Sequence, residues 1–338
     1  MDVTSRKHRC PFDNINYLCG NAHDMSFIYN ILNKESYNVI IDFMVYGTEE
    51  FRERADLYLN SCEHYMFLSS ARVSADSEIP ITEESPLLID VCKDEDYLKT
   101  DDYSLAKGRE EKILQSKSKT NWTIIRPYIT YSERTLQLGV YGAKDWLYRA
   151  MKGRTVVFSD DIASKMTTLT YAKDVARGII ALMLNRNAMG DVFQITCSKS
   201  LTWADALDIY LDEVESIIGH RPKVKMEKHS SRLQSSGKYQ VKYDRCFNRR
   251  FDNSKIKRFV NADDFVLPQE GLRRCVRAYV DSGELLKGGI NWGEQAEMDK
   301  LTHETAAVNE FEAFKSLRNF KSLIKYYLLR FTNIKIKN

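Results

Sequence analysis

Short apolar runs alternate with stretches of helical spacing through the first two-thirds of this chain, and few folds satisfy that pattern. The runs, rich in β-branched and aromatic residues, are 16–19, 37–44, 65–70 and 123–126. Strands that are apolar on both faces and separated by helices form parallel sheets with helices packed on each side. The sequence therefore predicts an α/β fold built on a doubly wound parallel sheet, followed by a smaller, mainly helical lobe.

Composition restricts the class of protein. The 338 residues are 43% hydrophobic and carry a net charge of +3, which is typical of a folded protein and too weakly basic to predict a nucleic-acid partner. The first residues lack the apolar segment of a secretory signal, and no apolar run approaches the length of a membrane span. The seven cysteines are scattered, so we expect reduced thiols, no metal site and a cytoplasmic location.

Tyr103 and Lys107 form the pair with the clearest chemical meaning. Four residues apart on a helix, they lie on one face. A free phenol has a pKa of about 10, and a nearby ammonium lowers it by stabilising the phenolate. Such a pair can exchange a proton with a substrate hydroxyl while a hydride moves. Tyr148 and Lys152 share the spacing, and there we expect only an amphipathic Tyr beside a solvated Lys.

Position along the chain distinguishes the first pair from the second. Ser70 ends one apolar strand, Pro127 closes another, and Tyr103 lies between them in sequence. Ligands of open α/β sheets bind beyond the carboxyl ends of the strands, so we expect these residues to border one crevice. The Ser70 hydroxyl would there hydrogen-bond the substrate oxygen. The alternative for Ser69 and Ser70 is a strand end capped by hydroxyls.

Several motifs together resemble those of the extended short-chain dehydrogenase/reductases, the NAD-dependent epimerase/dehydratase group that acts on sugar nucleotides. The similar segments are 40–45, 67–73, 103–107, 125–127 and 170–176. With the order of elements, the resemblance covers about residues 1 to 200. It implies a Rossmann-type sheet with a C-terminal substrate lobe. It also implies an NAD(P)-dependent enzyme on a nucleotide sugar, whose hydride transfer ends in epimerisation, dehydration or reduction.

The resemblance also implies roles for single residues. Ser70, Tyr103 and Lys107 would form the catalytic triad, and Lys107 would also bind the nicotinamide ribose. Further cofactor contacts would come from Asn21, Ala22, Phe43, Met44, Val45, Pro127, Tyr128 and Ile129. The chain departs from the family at two positions, because Asn21 stands where an Asp is usual and Ser74 where a Tyr is usual.

Arg6 and Lys7 bear on the choice of cofactor. They follow residues that resemble the end of the family's second strand, where a basic side chain pairs with the 2′-phosphate of NADP and an acid binds the ribose of NAD. This favours NADP slightly over NAD. The alternative is a solvated surface pair.

The glycine pattern is the main departure from the family. The first glycine is Gly20, and no two of the fifteen glycines are spaced Gly-x-Gly. The resemblance therefore predicts a Rossmann sheet lacking its first β-α-β part, and weak or absent NAD(P) binding by this chain, because the pyrophosphate normally sits on a glycine-opened helix start. Two alternatives stay open: a cofactor-incompetent pseudoenzyme or binding module, and a truncated product of a gene whose longer form is the enzyme.

We expect three regions. Residues 1–131 and 172–197 would form the incomplete NAD(P)-binding domain, and 132–171 and 198–300 the substrate lobe, with a basic helical tail at 301–338. Basic residues within 238–250 would meet a diphosphate or else belong to a solvated loop.

The tail has an apolar stripe at helical spacing with Lys and Arg opposite. Its members are Phe314, Leu317, Phe320, Ile324, Leu328 and Phe331. This pattern is typical of a docking helix, for example in a homodimer, and also of a helix lying on a membrane surface.

Overall fold

The computed structural model describes residues 1–230, 237–311 and 317–332. Its strands are β1 (Asp2–Ser5), β2 (Asn16–Cys19), β3 (Tyr37–Asp42), β4 (Cys62–Leu68), β5 (Trp122–Pro127), β6 (Thr130–Tyr131), β7 (Gln137–Leu138), β8 (Tyr141–Gly142), β9 (Val156–Ser159), β10 (Met166–Thr167), β11 (Thr170–Tyr171), β12 (Asp191–Ile195), β13 (Leu201–Thr202) and β14 (Val224–Glu227). Its helices are α1 (Met25–Leu32), α2 (Thr48–Asn60), α3 (Leu88–Val91), α4 (Glu95–Leu98), α5 (Tyr103–Gln115), α6 (Ala143–Met151), α7 (Asp160–Ala163), α8 (Ala172–Leu182), α9 (Trp203–Ile218), α10 (Lys238–Gln240), α11 (Pro268–Asp281), α12 (Trp292–Thr302) and α13 (Leu317–Phe331).

A four-stranded parallel sheet in the order β12-β5-β4-β3 forms the framework of the N-terminal part. On one face Phe67 and Ile124 pack against α2 and α5. On the other face Met66 and Ile125 pack against α8. Successive residues of a strand point to opposite faces, so a sheet covered on both sides requires continuous apolar runs. The predicted α/β fold with a doubly wound parallel sheet is confirmed.

A second parallel pair, β1 with β2, lies apart from this sheet. In the described part of the chain β1 pairs only with β2, and β3 only with β4. The Tyr37 hydroxyl of β3 donates to Asp2 Oδ2 of β1 over 2.7 Å, beside a cavity of about 450 Å³ that β1, β2, α1 and Tyr37 line. The sheet is therefore interrupted between β1 and β3, which agrees with the predicted incomplete Rossmann arrangement.

The C-terminal lobe has its own apolar core. Trp146 of α6 and Trp203 of α9 are fully buried there, with α11 packed alongside. Ile256 and Phe265, however, pack with α8 and β12 of the parallel sheet. The boundaries drawn between the two regions stay a prediction.

The acidic segment 76–102 contains the single helical turns α3 and α4 and is attached to the sheet by long-range contacts. Arg126 of β5 donates to the Glu83 carbonyl, and the Gln194 amide of β12 donates to the Glu83 carboxylate. Ile81 forms an isolated bridge with Phe251. These long-range contacts order a stretch that has no periodicity of its own.

Helix α13 docks onto α12 through Tyr326 and Leu329, a face that the sequence stripe did not include. The described members of the stripe, Phe320, Ile324, Leu328 and Phe331, are exposed instead. Phe314 and the side chain of Leu317 lie outside the described residues. None of the helices in the described ranges combines the length and hydropathy required to cross a bilayer.

Candidate active site

The turn after β4, the end of its neighbour β5 and the start of α5 meet at the carboxyl edge of the sheet, the place that we call the crevice. Ser70 follows β4 and accepts a hydrogen bond from the Arg72 amide at 3.2 Å, at the start of a short 3₁₀ turn. Tyr103 is the first residue of α5, whose N-cap Asp102 accepts from the Ser104 amide. Ser70 lies near enough to the Tyr103 phenol to lower its pKa. The crevice thus brings together two of the predicted catalytic residues, with Lys107 one turn further along α5.

The Tyr103 phenol lies in a partly buried and electrostatically mixed environment. Burial raises its pKa, while the Ser70 hydroxyl and the Arg72 guanidinium lower it. Glu110 and Asp244 raise it further, and the net direction is upward. The Arg72 guanidinium carbon lies 5.0 Å from the centre of the Tyr103 ring. Tyr103 is therefore protonated at neutral pH in the described structure, and Arg72 is the cation that opposes the rise.

Lys107 makes its polar contacts with Glu110 and with the turn after β3. Its side chain is almost fully buried, with Nζ 3.0 Å from Glu110 Oε2 and donating to the Met44 carbonyl at 3.1 Å. Nζ also lies 4.3 Å from the centre of the Phe67 ring. The largest influences on the Tyr103 pKa come from burial, Ser70 and Arg72, and the catalytic role of Lys107 stays a prediction.

Glu110 is a charged residue of this site that the sequence argument missed. It is completely buried, and neither carboxylate oxygen has a hydrogen bond of good geometry within the described chain. Burial raises the pKa of Glu110 to about 7, against the opposing effect of Lys107. The available signal was its position three residues after Lys107, which puts both on one side of α5.

A second buried acid, Glu111, fixes the helix to the strands. Arg126 of β5 donates to both of its oxygens, at 3.0 and 2.6 Å, and the Ser69 hydroxyl donates to it as well. Because one guanidinium donates to both carboxylate oxygens, the pair fixes the orientation of Glu111 relative to Arg126. Ser69 therefore links the end of β4 to α5, and the Arg126–Glu111 pair links β5 to the same helix.

The predicted cofactor contacts at the end of β3 face open space. Phe43 and Val45 are 64% and 55% exposed. Asp42, buried beneath them, accepts hydrogen bonds from the Met44 amide and the Tyr65 hydroxyl, which fixes the turn. This exposed apolar edge beside the crevice is suited to a flat ring.

The remaining predicted contacts differ in accessibility. Asn21, Arg6 and Lys7 are exposed, whereas Ala22 is buried. Pro127 and Ile129 are half-buried, and Ile129 has a φ of 29°. Tyr128 is 1% exposed, so a bound molecule would meet its backbone rather than its ring.

The helix starts nearest to the parallel strands do not offer a phosphate site. Asp24 caps α1 by accepting from the Ser26 and Phe27 amides. The Thr48 amide that opens α2 donates to Asp101, and Glu49 follows in the first turn. A pyrophosphate requires free N–H groups at such a position. The acidic side chains at the starts of α1 and α2 are therefore unfavourable for the centre of a dinucleotide, and the predicted contacts to its two ends stay a prediction.

The second Tyr-x-x-x-Lys pair has a structural role. Tyr148 is buried in the lobe core, and its hydroxyl donates to Glu310 over 2.7 Å. Lys152 lies 5.8 Å from the centre of the Tyr148 ring. Tyr148 and Lys152 therefore lie outside the crevice. Tyr148 is more buried than the amphipathic tyrosine that the sequence predicts at this position.

The parallel sheet, the interposed helices and the C-terminal lobe match the fold of solved sugar-nucleotide epimerases and dehydratases. Among solved structures, UDP-glucuronic acid 4-epimerase from Bacillus cereus in complex with NAD aligns with a TM-score of 0.58 at 14% identity, over 79% of this chain and 81% of that one. Epimerase Mth375 from Methanothermobacter thermautotrophicus aligns with a TM-score of 0.61 at 15% identity, over 82% of both chains. The dTDP-glucose 4,6-dehydratase DesIV from Streptomyces venezuelae gives 0.59 at 16% identity, over 80% of this chain and 81% of that one.

No protein-family model matches the chain. A curated relative, chloroplast stem-loop binding protein of 41 kDa b from Arabidopsis thaliana, is 27% identical over 190 residues, 55% of this chain. The match spans 45% of that relative's length, less than half of it. The resemblance inferred from the sequence motifs is thus confirmed in the fold.

Proposed function

We propose that this chain acts on nucleotide sugars as an NAD(P)-dependent epimerase, dehydratase or reductase. The observation that carries the proposal is the meeting of Ser70 and Tyr103 where β4, β5 and α5 border the crevice. Solved structures of the same fold contain NAD together with UDP-glucuronic acid, which supports this class of substrate.

In this proposal Tyr103 is the acid/base. Its raised pKa keeps the proton on the phenol at neutral pH, ready for transfer to a substrate oxygen, and Arg72 stabilises the phenolate in the reverse direction. Ser70 holds the same substrate oxygen by hydrogen bonding. Lys107 is a positioning residue that anchors the Met44 turn to α5. A bound nicotinamide cofactor would accept and return the hydride.

The cofactor is proposed to be NADP or NAD, with a slight preference for NADP. Arg6 and Lys7 are exposed directly after β1, where they can meet a 2′-phosphate. The starts of α1 and α2 do not provide a cradle for the pyrophosphate in the part of the chain that the structure describes.

The experiment for the proposed activity is turnover of a panel of nucleotide sugars, followed by NMR of the sugar ring. Wild-type protein would be compared with Tyr103→Phe in the presence of each cofactor. Product formed by the wild type and lost in Tyr103→Phe supports the proposal.

A second candidate is a binding module without turnover. The occupied helix starts of α1 and α2 favour it, because they leave the pyrophosphate of a cofactor without a cradle. The curated relative is named for stem-loop binding, yet a net charge of +3 gives little attraction to nucleic acid, and we propose no nucleic-acid partner. Sugar-nucleotide binding without product would identify this case, and an RNA stem-loop belongs in the same assay.

The exposed stripe of α13 is proposed to contact an anionic membrane surface. We call Phe320, Ile324, Leu328 and Phe331 the tail stripe. Lys321 is exposed beside it, and residues 314–338 contain seven Lys or Arg and no acid. Apolar side chains bordered by lysines are the signature of a helix lying in a lipid interface. Dimerisation through the same stripe is the competing outcome. The scattered thiols, all unpaired in the described residues, suit the proposed cytoplasmic location.

A further inference from the structure

Three arginines surround one buried carboxylate beside Tyr103. Asp244 Oδ1 accepts from Arg249 Nε at 2.9 Å, and its Oδ2 accepts from Arg245. Arg72 Nε lies 3.6 Å from the same Oδ2, too far for a hydrogen bond. Asp244, Arg245 and Arg249 are buried, and the Arg72 side chain is 14% exposed. We call these four residues the Asp244 cluster.

Within the cluster, two of the arginines are well satisfied. Arg249 also donates to the carbonyls of Ser74, Ala75 and Tyr243, and Arg245 donates to the Gly139 carbonyl. These hydrogen bonds to backbone carbonyls give Arg245 and Arg249 a structural role.

Arg72 is different. Its Nε has no hydrogen-bond partner among the described residues, and the 3.6 Å approach to Asp244 is its only ion pair among them. Both oxygens of Asp244 are already engaged by the other two arginines. A guanidinium that is so little exposed is stable only beside a negative charge. In this cluster the described chain provides one carboxylate for three guanidinium groups. An anion from elsewhere would complete the cluster.

The location of Arg72 limits what that anion can be. The guanidinium stacks on the ring of Tyr103, whose phenol lies near Ser70. The Tyr128 hydroxyl is buried and has no hydrogen-bond partner in the described chain. The charges of all four cluster members influence its pKa. The uncompensated charge therefore faces the reacting end of the crevice, where the sugar ring must lie if Tyr103 is to reach its hydroxyl.

We infer that Arg72 binds a carboxylate on the sugar ring, so that the preferred substrate is a nucleotide-linked uronic acid rather than a neutral hexose. This rests on the proposed function, since it assumes a nucleotide sugar in the crevice. A guanidinium suits the task because its planar donors match the two oxygens of a carboxylate. The specificity would then arise from Arg72 on the turn after β4, in addition to its effect on the Tyr103 phenol.

The test is calorimetric titration of the full chain with matched ligand pairs. UDP, dTDP and GDP would each be presented as the glucose and as the glucuronic acid conjugate, to wild type, Arg72→Met and Arg72→Lys. Arg52→Met, on the exposed face of α2, is the control for loss of a positive charge. Circular dichroism would verify that each variant is folded.

We expect the wild type to bind one uronic acid conjugate about tenfold or more tightly than its hexose partner, given that charge-assisted hydrogen bonds contribute about 1.5–3 kcal/mol. Arg72→Met should abolish that difference, Arg72→Lys should retain part of it, and Arg52→Met all of it. Equal affinity for both members of every pair overturns the inference but leaves the proposed function standing. So does equal weakening of both by Arg72→Met, which would place Arg72 at the diphosphate. Failure to bind any of the six compounds overturns both.

Discussion

Lys107 and Glu110 form a fully buried ion pair on α5, with Nζ 3.0 Å from Oε2, one turn beyond Tyr103. The carboxylate of this pair has a pKa raised to about 7 by burial, so its charge changes near neutral pH. The pair is thus a polar element within the apolar packing around Phe67.

The first prediction concerns the pH dependence of stability. The pKa of Glu110 is higher in the folded chain than in the unfolded chain. Between about pH 4.5 and 7 its carboxyl group is therefore protonated in the folded chain and ionised in the unfolded chain. The stability from this group is fully present below pH 4.5 and is lost as pH rises through 7, by up to about 3 kcal/mol. Glu110→Gln cannot titrate, and should lack this decline in urea unfolding at pH 5 and 8.

Glu53→Gln, on the exposed side of α2, is the matched control and should follow the wild type. A decline of equal size in Glu110→Gln would show that other groups cause it.

The second prediction separates the two Tyr-x-x-x-Lys pairs. In a form that binds cofactor, Tyr103→Phe should reduce kcat by about 10²–10⁴-fold while cofactor affinity stays nearly unchanged, because only the transferable proton is lost. Tyr148→Phe should retain turnover and lose about 1 kcal/mol of stability, since its hydroxyl is bonded to Glu310. Steady-state kinetics and thermal unfolding would distinguish them. Retained activity in Tyr103→Phe with loss in Tyr148→Phe would reverse the assignment.

The third prediction is weak or absent binding of NAD and NADP by the 338-residue chain. The pyrophosphate carries concentrated negative charge, and the starts of α1 and α2 place the acidic side chains of Asp24, Asp101 and Glu49 where it would bind. Calorimetry with both cofactors is the measurement. Micromolar or tighter binding would mean that other residues provide the cradle. Any measurable affinity should favour NADP, and Arg6→Ala should reduce that preference.

The fourth prediction concerns the tail stripe. The full chain should co-sediment with vesicles of phosphatidylcholine and phosphatidylglycerol and much less with phosphatidylcholine alone, since each Lys or Arg near an anionic surface contributes about 1 kcal/mol. Replacement of Phe320 and Ile324 by Ser should abolish the association. Replacement of Ile79 and Leu286, exposed apolar residues elsewhere, should not.

Analytical ultracentrifugation of the same variants tests the competing outcome. If the wild type forms a dimer that the Phe320 and Ile324 replacements dissociate, and no vesicle is bound, the stripe is a subunit contact.

The pattern of apolar residues along the sequence was sufficient to predict the parallel sheet and the helices that cover it. Continuous apolar runs such as 65–70 and 123–126 require a sheet covered on both faces, and the carboxyl ends of parallel strands share one edge. For that reason Ser70 and Tyr103 could be assigned to one crevice before any coordinates were known. The lack of a Gly-x-Gly turn likewise predicted an interrupted sheet and an incomplete phosphate site.

Only the tertiary structure decided which charges meet at that crevice. The pairing of Lys107 with Glu110 depends on burial, and the approach of Arg72 to Asp244 joins residues far apart in sequence. The buried face of α13 was likewise decided by α12, so Tyr326 is enclosed and Phe320 is not. A sequence period shows that a helix has an apolar face, whereas burial and electrostatics depend on which distant segments pack around it, and those contacts leave no local pattern.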